Sequence, residues 1–310
     1  MAVAPRYALA QENEDRSKLA KALASHIMGA IADLEGQSQQ AVKEYYKSLQ
    51  YNPNSYLTRL RLGAHYTQMG MFDEAFEQLS QVPVLNPADL QSRYLLALIY
   101  SNQKKFDLAA AEYEIILKAL ASESSENVNL YFYLGQLYYA QNHFDKAIVQ
   151  FLKIIESNPK NTELRNLIGS LYVELNQETL AIDMFQKVLE IEPNNDFSLN
   201  SLGYIYAEQG NNLDVALNLI NRAIAIVPDS AAYLDSLGWV YYKQGRYQEA
   251  LDILVKAESK AKDPTIFEHI GDVYLAMKKY SDAKNYWKKA HELNLDKVKL
   301  IEKIKKVEGL

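Results

Sequence analysis

A repeat of 34 residues runs through nearly all of this 310-residue chain, and it is the feature that most limits what the chain can fold into. Eight rows can be written. Offset 8 of each row holds Gly29, Gly63, Ala97, Gly135, Gly169, Gly203, Gly238 and Gly271, all of them small. Offset 20 is alanine in every row, at Ala41, Ala75, Ala109, Ala147, Ala181, Ala216, Ala250 and Ala283, with one inserted residue around Asn211-Asn212 keeping row six in register. Offset 11 is tyrosine in seven rows (Tyr66, Tyr100, Tyr138, Tyr172, Tyr206, Tyr241 and Tyr274), with Ala32 there in the first. Offset 32 is proline in five rows, at Pro53, Pro87, Pro159, Pro193 and Pro228.

This spacing predicts two antiparallel helices per row, the first over offsets 1 to 14 and the second over about 18 to 31. Turn residues separate them: Gly36, Gly70, Asn142, Asn176, Gly210 and Gly245. Seven glycines inside first helices cost about 7 kcal/mol in helix propensity against alanine, so something must offset them. Close helix contact is the expected compensation, with the small residue at offset 8 lying against the alanine at offset 20. The proline at offset 32 removes a backbone donor and drives the residue before it out of helical space, which ends the second helix. Eleven of the twelve glycines sit at offset 8 or in a turn, Gly309 being the exception, a regularity a mixed α/β fold would not produce.

These small-residue, tyrosine and proline positions resemble the tetratricopeptide-repeat family over roughly residues 22–297. The resemblance implies an all-α fold: a right-handed α-α superhelix of about eight helix pairs whose first helices line a concave groove for peptides or partner helices. Pentatricopeptide readers of RNA share nearly the same period, but the small-residue and proline signature and the acidic balance set them aside. Asp235-Ser236-Leu237-Gly238-Trp239-Val240-Tyr241, Asp263-Pro264 and His269-Ile270-Gly271-Asp272 are similar to the last repeats of lipoproteins and adaptors of this family in Gram-negative envelopes. That likeness implies a role in bringing partners, envelope proteases and assembly machines among them, to their clients. The lipidation cysteine expected of that group is missing, as in a chain whose leader has been removed.

The irregularities suggest a division into a flexible leader over 1–16, repeats one to three over 17–123, an insertion at 124–127, repeats four to eight over 128–297, and an amphipathic capping helix over 298–310. The insertion lies in the polar stretch Ser122 to Asn127, which reads as a joint or as a bulged loop between stacked neighbours. Asp15 or Ser17 is available to cap the first helix. From Lys297 to Val307, Ile301, Ile304 and Val307 fall at helical spacing among five lysines; that face suits the apolar flank a repeat array exposes at its end. Ala8-Leu9-Ala10 resembles a signal-peptidase site without an apolar segment before it, which leaves a periplasmic or outer-membrane-associated address, signal removed, beside a cytoplasmic one.

A net charge of −6 gives no electrostatic drive toward nucleic acid, and the absence of cysteine excludes disulfides and thiolate chemistry. His26, His65, His143, His269 and His291 lie in different rows at no metal-ligating spacing, every glycine but one belongs to the repeat, and no serine sits in a nucleophile elbow. The expectation is a chain with no catalytic centre, cofactor, metal or small-molecule substrate.

In the family's geometry, offsets 2, 5, 9, 12 and 13 of each first helix face the groove. Acids stand there at Asp33, Glu163, Glu174, Glu208, Asp235, Glu268 and Asp272, against a single cation, Lys243. The aromatics there are Tyr94, Phe132, Tyr139, Phe197, Tyr204, Trp239 and Tyr242, and the cluster Tyr204, Trp239 and Tyr242 is the expected anchor. Acids and aromatics together favour a protein partner offering basic and apolar side chains. A clamp for a carboxylate tail, which some family members have, lacks its cations here. The early rows are more aliphatic, with Leu57, Leu60 and Leu98, a surface that suits a second copy or the chain's own N-terminal segment. The leading expectation is a non-catalytic adaptor; the alternatives are a self-assembling scaffold and a regulatory module of a separate enzyme such as an envelope protease.

Overall fold

The computed structural model describes residues 4–120, 127–210, 212–293 and 298–308, and among these it forms eighteen helices and no strand. The chain divides into two compact units, Met1–Ser157 and Asn158–Leu310. In the first, α1 (Ala4–Leu34) packs on α2 (Ser38–Tyr51), α3 (Tyr56–Gln68) on α4 (Phe72–Leu79) and α5 (Val82–Leu85), α6 (Leu90–Asn102) on α7 (Phe106–Leu120), and α8 (Val128–Ala140) on α9 (Phe144–Ser157). In the second, the pairs are α10 (Thr162–Glu174) with α11 (Glu178–Ile191), α12 (Asp196–Gln209) with α13 (Leu213–Ile226), α14 (Ala231–Lys243) with α15 (Tyr247–Lys260), and α16 (Pro264–Ala276) with α17 (Tyr280–Leu293). A last helix, α18 (Val298–Glu308), packs on α17.

The helix ends follow from local chemistry. Six first helices start behind a side chain that accepts a hydrogen bond from the first turn: Ser55, Asp89, Asn161, Asn195, Ser230 and Asp263. Asn52, Asn86, Glu192 and Val227, each just before a proline, have ψ between 81° and 90°, out of helical space as proline requires. The turns inside the pairs pass through the left-handed region at Gly36, Gly70, Asn142, Asn176, Gly210 and Gly245, and also at Lys104 and Lys278.

All eight offset-20 alanines are fully buried. The glycine compensation goes beyond expectation: a Cβ on Gly203 would meet Ala216 O at 3.1 Å and one on Gly238 would meet Ala250 O at 3.3 Å, but the nearest neighbour of each offset-8 glycine is the bulky side chain one turn beyond the alanine. A Cβ on Gly135 would come within 2.4 Å of the Phe151 ring, one on Gly271 within 2.4 Å of Trp287, and one on Gly63 within 2.4 Å of Leu79. The alanine lets the backbones approach, and the large side chain then packs against the bare glycine backbone.

Three further features depart from the sequence reading. The first helix begins at Ala4, so Asp15 and Ser17 are inside it and cap nothing; Glu12–Arg16 and Glu14–Lys18 pairs one turn apart continue it through residues expected to be a flexible leader. The second helix of row two breaks into α4 and α5 because Pro83 cannot donate to the turn before it. In α18 the fully buried side chain is Leu300, set against Phe267, Trp287 and Ala290 with Ile304 beside it, whereas Ile301 is exposed. The expected insertion at 124–127 lies, apart from Asn127, outside the described residues.

Candidate partner-binding groove

In the second unit the first helices stand side by side, α14 touching both α12 and α16. Their caps fix the helical phase: Asn195 Oδ1 accepts from Ser198 N at 3.0 Å, Ser230 Oγ from Tyr233 N at 3.4 Å, and Asp263 Oδ1 from Thr265 N at 2.7 Å. The same offsets therefore share one face. There a recess of about 430 Å³ is lined by Asn200, Tyr204, Ala232, Asp235, Thr265 and Ile266, among others. Asn200 Oδ1 is buried with no hydrogen-bond partner among the described residues. An unspent acceptor and a carboxylate at one recess suit a group that donates hydrogen bonds or carries positive charge.

The expected anchor cluster is present, but its members play different parts. Trp239 is only 8 % exposed and is stacked on both flanks, on His269 at 4.1 Å and on Tyr242 at 4.6 Å between ring centroids. Asp235, 7 % exposed, accepts from His269 Nδ1 at 2.9 Å. Both were expected to face a partner: Trp239 instead supports the wall from within, its flat indole filling the volume between adjacent first helices, whereas Asp235 lines the recess while its carboxylate is held by His269. Tyr204 lines the recess; burial raises its hydroxyl pKa, and the nearby Glu208 and Asp235 carboxylates raise it further, so it stays a neutral donor. Phe197 is 43 % exposed on α12.

The acids are largely matched by cations. Lys243 Nζ lies 3.6 Å from Glu208 Oε2 and 5.2 Å from the Trp239 ring centroid. Lys303, from α18, donates to Glu268 Oε1 at 3.0 Å and to both Asp272 oxygens at 2.7 Å. Trp287 Nε1 donates to the same Asp272 at 3.0 Å. Burial raises the Asp272 pKa, and the hydrogen bond and charge of Lys303 pull it back. Glu163 and Glu174 are exposed.

In the first unit α3 touches α6, and the corresponding face is close to neutral. Tyr94 packs edge-on against Tyr113, Phe132 is 40 % and Tyr139 47 % exposed, Leu57 is half exposed, and Leu60 is buried. The one acid there, Asp33, accepts from Tyr45 at 2.5 Å and lies 2.6 Å from His65 Nε2.

Tetratricopeptide-repeat models match residues 34–99, 90–119, 128–161, 162–195 and 196–263 of the chain, well over half of its length. The chain belongs to the tetratricopeptide-repeat family. Its fold is that of a tetratricopeptide-repeat protein from Parabacteroides merdae, at a TM-score of 0.57 and 20 % identity, over 82 % of this chain and 99 % of that one. A thermophilic member from Thermus thermophilus gives a TM-score of 0.51 at 21 % identity over 60 % of this chain and all of the other. In sequence, the BBSome complex member BBS4 of Bos taurus is 24 % identical over 122 residues, 39 % of this chain. The alignment spans 23 % of the length of that curated relative.

The family's offsets brought Phe197, Tyr204, Glu208, Asp235, Trp239, Tyr242 and Asp272 to one unit and Tyr94, Phe132 and Tyr139 to the other. They did not single out Asn200, Ala232 and Thr265, which occupy groove offsets but are neutral. His269 stands at offset 6, outside the groove set, and Lys303 lies beyond the last repeat, so no offset could place it.

Proposed function

We propose that this tetratricopeptide-repeat protein is a non-catalytic adaptor that holds a basic, partly apolar segment of another protein in the groove of its second unit. The family is one of protein–protein interaction modules, which supports the binding role; the observation that carries the finer reading is the recess beside Asp235 with the unspent acceptor of Asn200. Apolar contacts from Phe197 and Ile266 supply burial, and Glu208 and Asp235 supply charge complementarity. The test is affinity purification of partners with the wild-type chain and with a Phe197→Ala/Thr265→Lys double variant, which removes an exposed ring and puts a cation in the recess. Loss of a specific partner from the variant supports the groove; undiminished recovery rejects it.

A self-assembling scaffold is the second reading, favoured by α1. Leu19, Leu23, Ile27, Ile31 and Leu34 form an exposed apolar stripe along one side of that helix. Light scattering of wild type and Leu23→Glu/Ile27→Glu across a range of concentrations decides it, a concentration-independent monomer ending that reading.

A further inference from the structure

The Lys303 ammonium lies among groove residues of α16, the helix that contributes Thr265 and Ile266 to the recess. It donates at 3.0 Å to Glu268, at groove offset 5 of α16, and at 2.7 Å to Asp272, at offset 9 of the same helix. The ring of Trp287 has its centroid 5.6 Å from the same nitrogen, a third attraction for a cation. This seat adjoins the stack that backs the recess: Tyr242 is within electrostatic reach of both Asp272 and Lys303, and it stacks on Trp239, whose other flank lies against His269, the partner of Asp235. The seat is open enough to exchange its occupant, since the Lys303 side chain keeps a third of its surface exposed.

The anchor of α18 is elsewhere. Leu300 is fully buried among Phe267, Trp287 and Ala290, and Ile304 packs beside them, so the helix is fixed by apolar contacts that do not involve the ammonium. Lys303 can therefore swing out on its four-carbon stem while α18 stays docked. Burial opposes the charge of Lys303, but the hydrogen bonds and charges of Asp272 and Glu268 outweigh it and raise its pKa above that of a free lysine, so the seat selects a permanent cation at neutral pH.

We propose that α18 carries a built-in competitor for the groove: Lys303 occupies the seat at Glu268 and Asp272 that a lysine or arginine of the partner segment takes when it binds. This rests on the reading of the groove given above and adds a self-occupied state to it. A partner segment lacking a cation at the matching place leaves Lys303 seated and gains only the recess; one that offers a cation expels it. The apparent affinity is reduced by the fraction of time the seat is filled from within.

The test uses the full chain as wild type, Lys303→Ala and Lys303→Arg, titrated calorimetrically with the synthetic peptide Lys-Leu-Lys-Tyr-Lys-Leu-Lys. Lys303→Ala is expected to bind about ten-fold tighter than wild type. Lys303→Arg keeps the seat filled and binds as wild type does, and adding Asp272→Asn to Lys303→Ala abolishes the gain. Equal affinity of wild type and Lys303→Ala overturns the competitor while leaving the groove intact; no binding by any of the chains overturns both. A second measurement is independent of the peptide. Lys303→Ala melts below wild type, and n-propylammonium chloride, but not n-propanol with matched sodium chloride, moves its melting temperature back toward wild type. Failure of the ammonium to act beyond that control overturns the seat.

Discussion

The two units use the same scaffold and present different faces. In Met1–Ser157, Phe151 lies over Gly135 and Leu79 over Gly63; in Asn158–Leu310, Phe185 lies over Gly169 and Trp287 over Gly271. Of the seven acids at groove offsets, only Asp33 falls in the first unit and the other six fall in the second. The glycine-to-side-chain packing and the groove-offset acids thus stand at separate offsets of one repeat, and the acids can vary without disturbing that packing.

The comparison is most severely tested at the shared scaffold. Phe151→Ala in the first unit and Trp287→Ala in the second should each cost about 3–5 kcal/mol, read by chemical denaturation. A silent substitution in either unit would mean that its helices do not depend on the glycine-to-ring packing. Next comes the difference between the faces. Thr265→Lys in the second unit should weaken binding of a basic segment by about 3 kcal/mol, on the order of a hundred-fold, whereas Leu98→Lys in the first unit should change it only slightly. Equal losses would erase the distinction. A smaller effect is expected of ionic strength: raising salt should weaken the same interaction several-fold, and the Glu208→Gln variant should respond less than wild type.

The smallest expected effect concerns pH and the first unit. His26 has its pKa lowered, chiefly by burial and further by the positive charge of Arg61, with Asp33 opposing. A depressed folded pKa gives stability that is present above the unfolded value of about 6.5 and is lost as pH falls through it toward the folded pKa. Melting curves between pH 7.5 and 5 should therefore slope downward on acidification, and His26→Gln should flatten part of that slope. An unchanged slope removes His26 from the account.

Much of the scaffold is legible in the sequence because each of its requirements admits few residues. Only glycine or asparagine is at ease in most of the left-handed turns, only proline sets the extended residue before it, and only alanine fits at offset 20. What escaped notice is what varies. The partner of each glycine is Tyr45, Leu79, Phe151, Phe185, Ile220, Leu254 or Trp287, a series alike in bulk but not in identity, so a search for recurring residues passes over it. Lys104 and Lys278 take the left-handed turns of rows three and eight, although lysine has no preference for that conformation. For the groove, offsets named the face but not the depth. Trp239 and Phe197 are both aromatics at groove offsets, yet the first is closed in by Tyr242 and His269 while the second is open. Lys303 was visible only as one of four lysines in the terminal helix, because its place depends on how α18 docks against α16 and α17.

The central claim is that the second unit's face, and not the first, receives a cationic segment. A photo-crosslinking amino acid placed singly at Phe197, at Phe132 and at the exposed Val149 of α9 tests it directly, with the captured peptides sequenced by mass spectrometry. Capture is expected from Phe197, on a segment containing lysine or arginine, with far less from Phe132 and none from Val149. Equal or greater capture from Phe132 or Val149, or capture of acidic segments from Phe197, would contradict it.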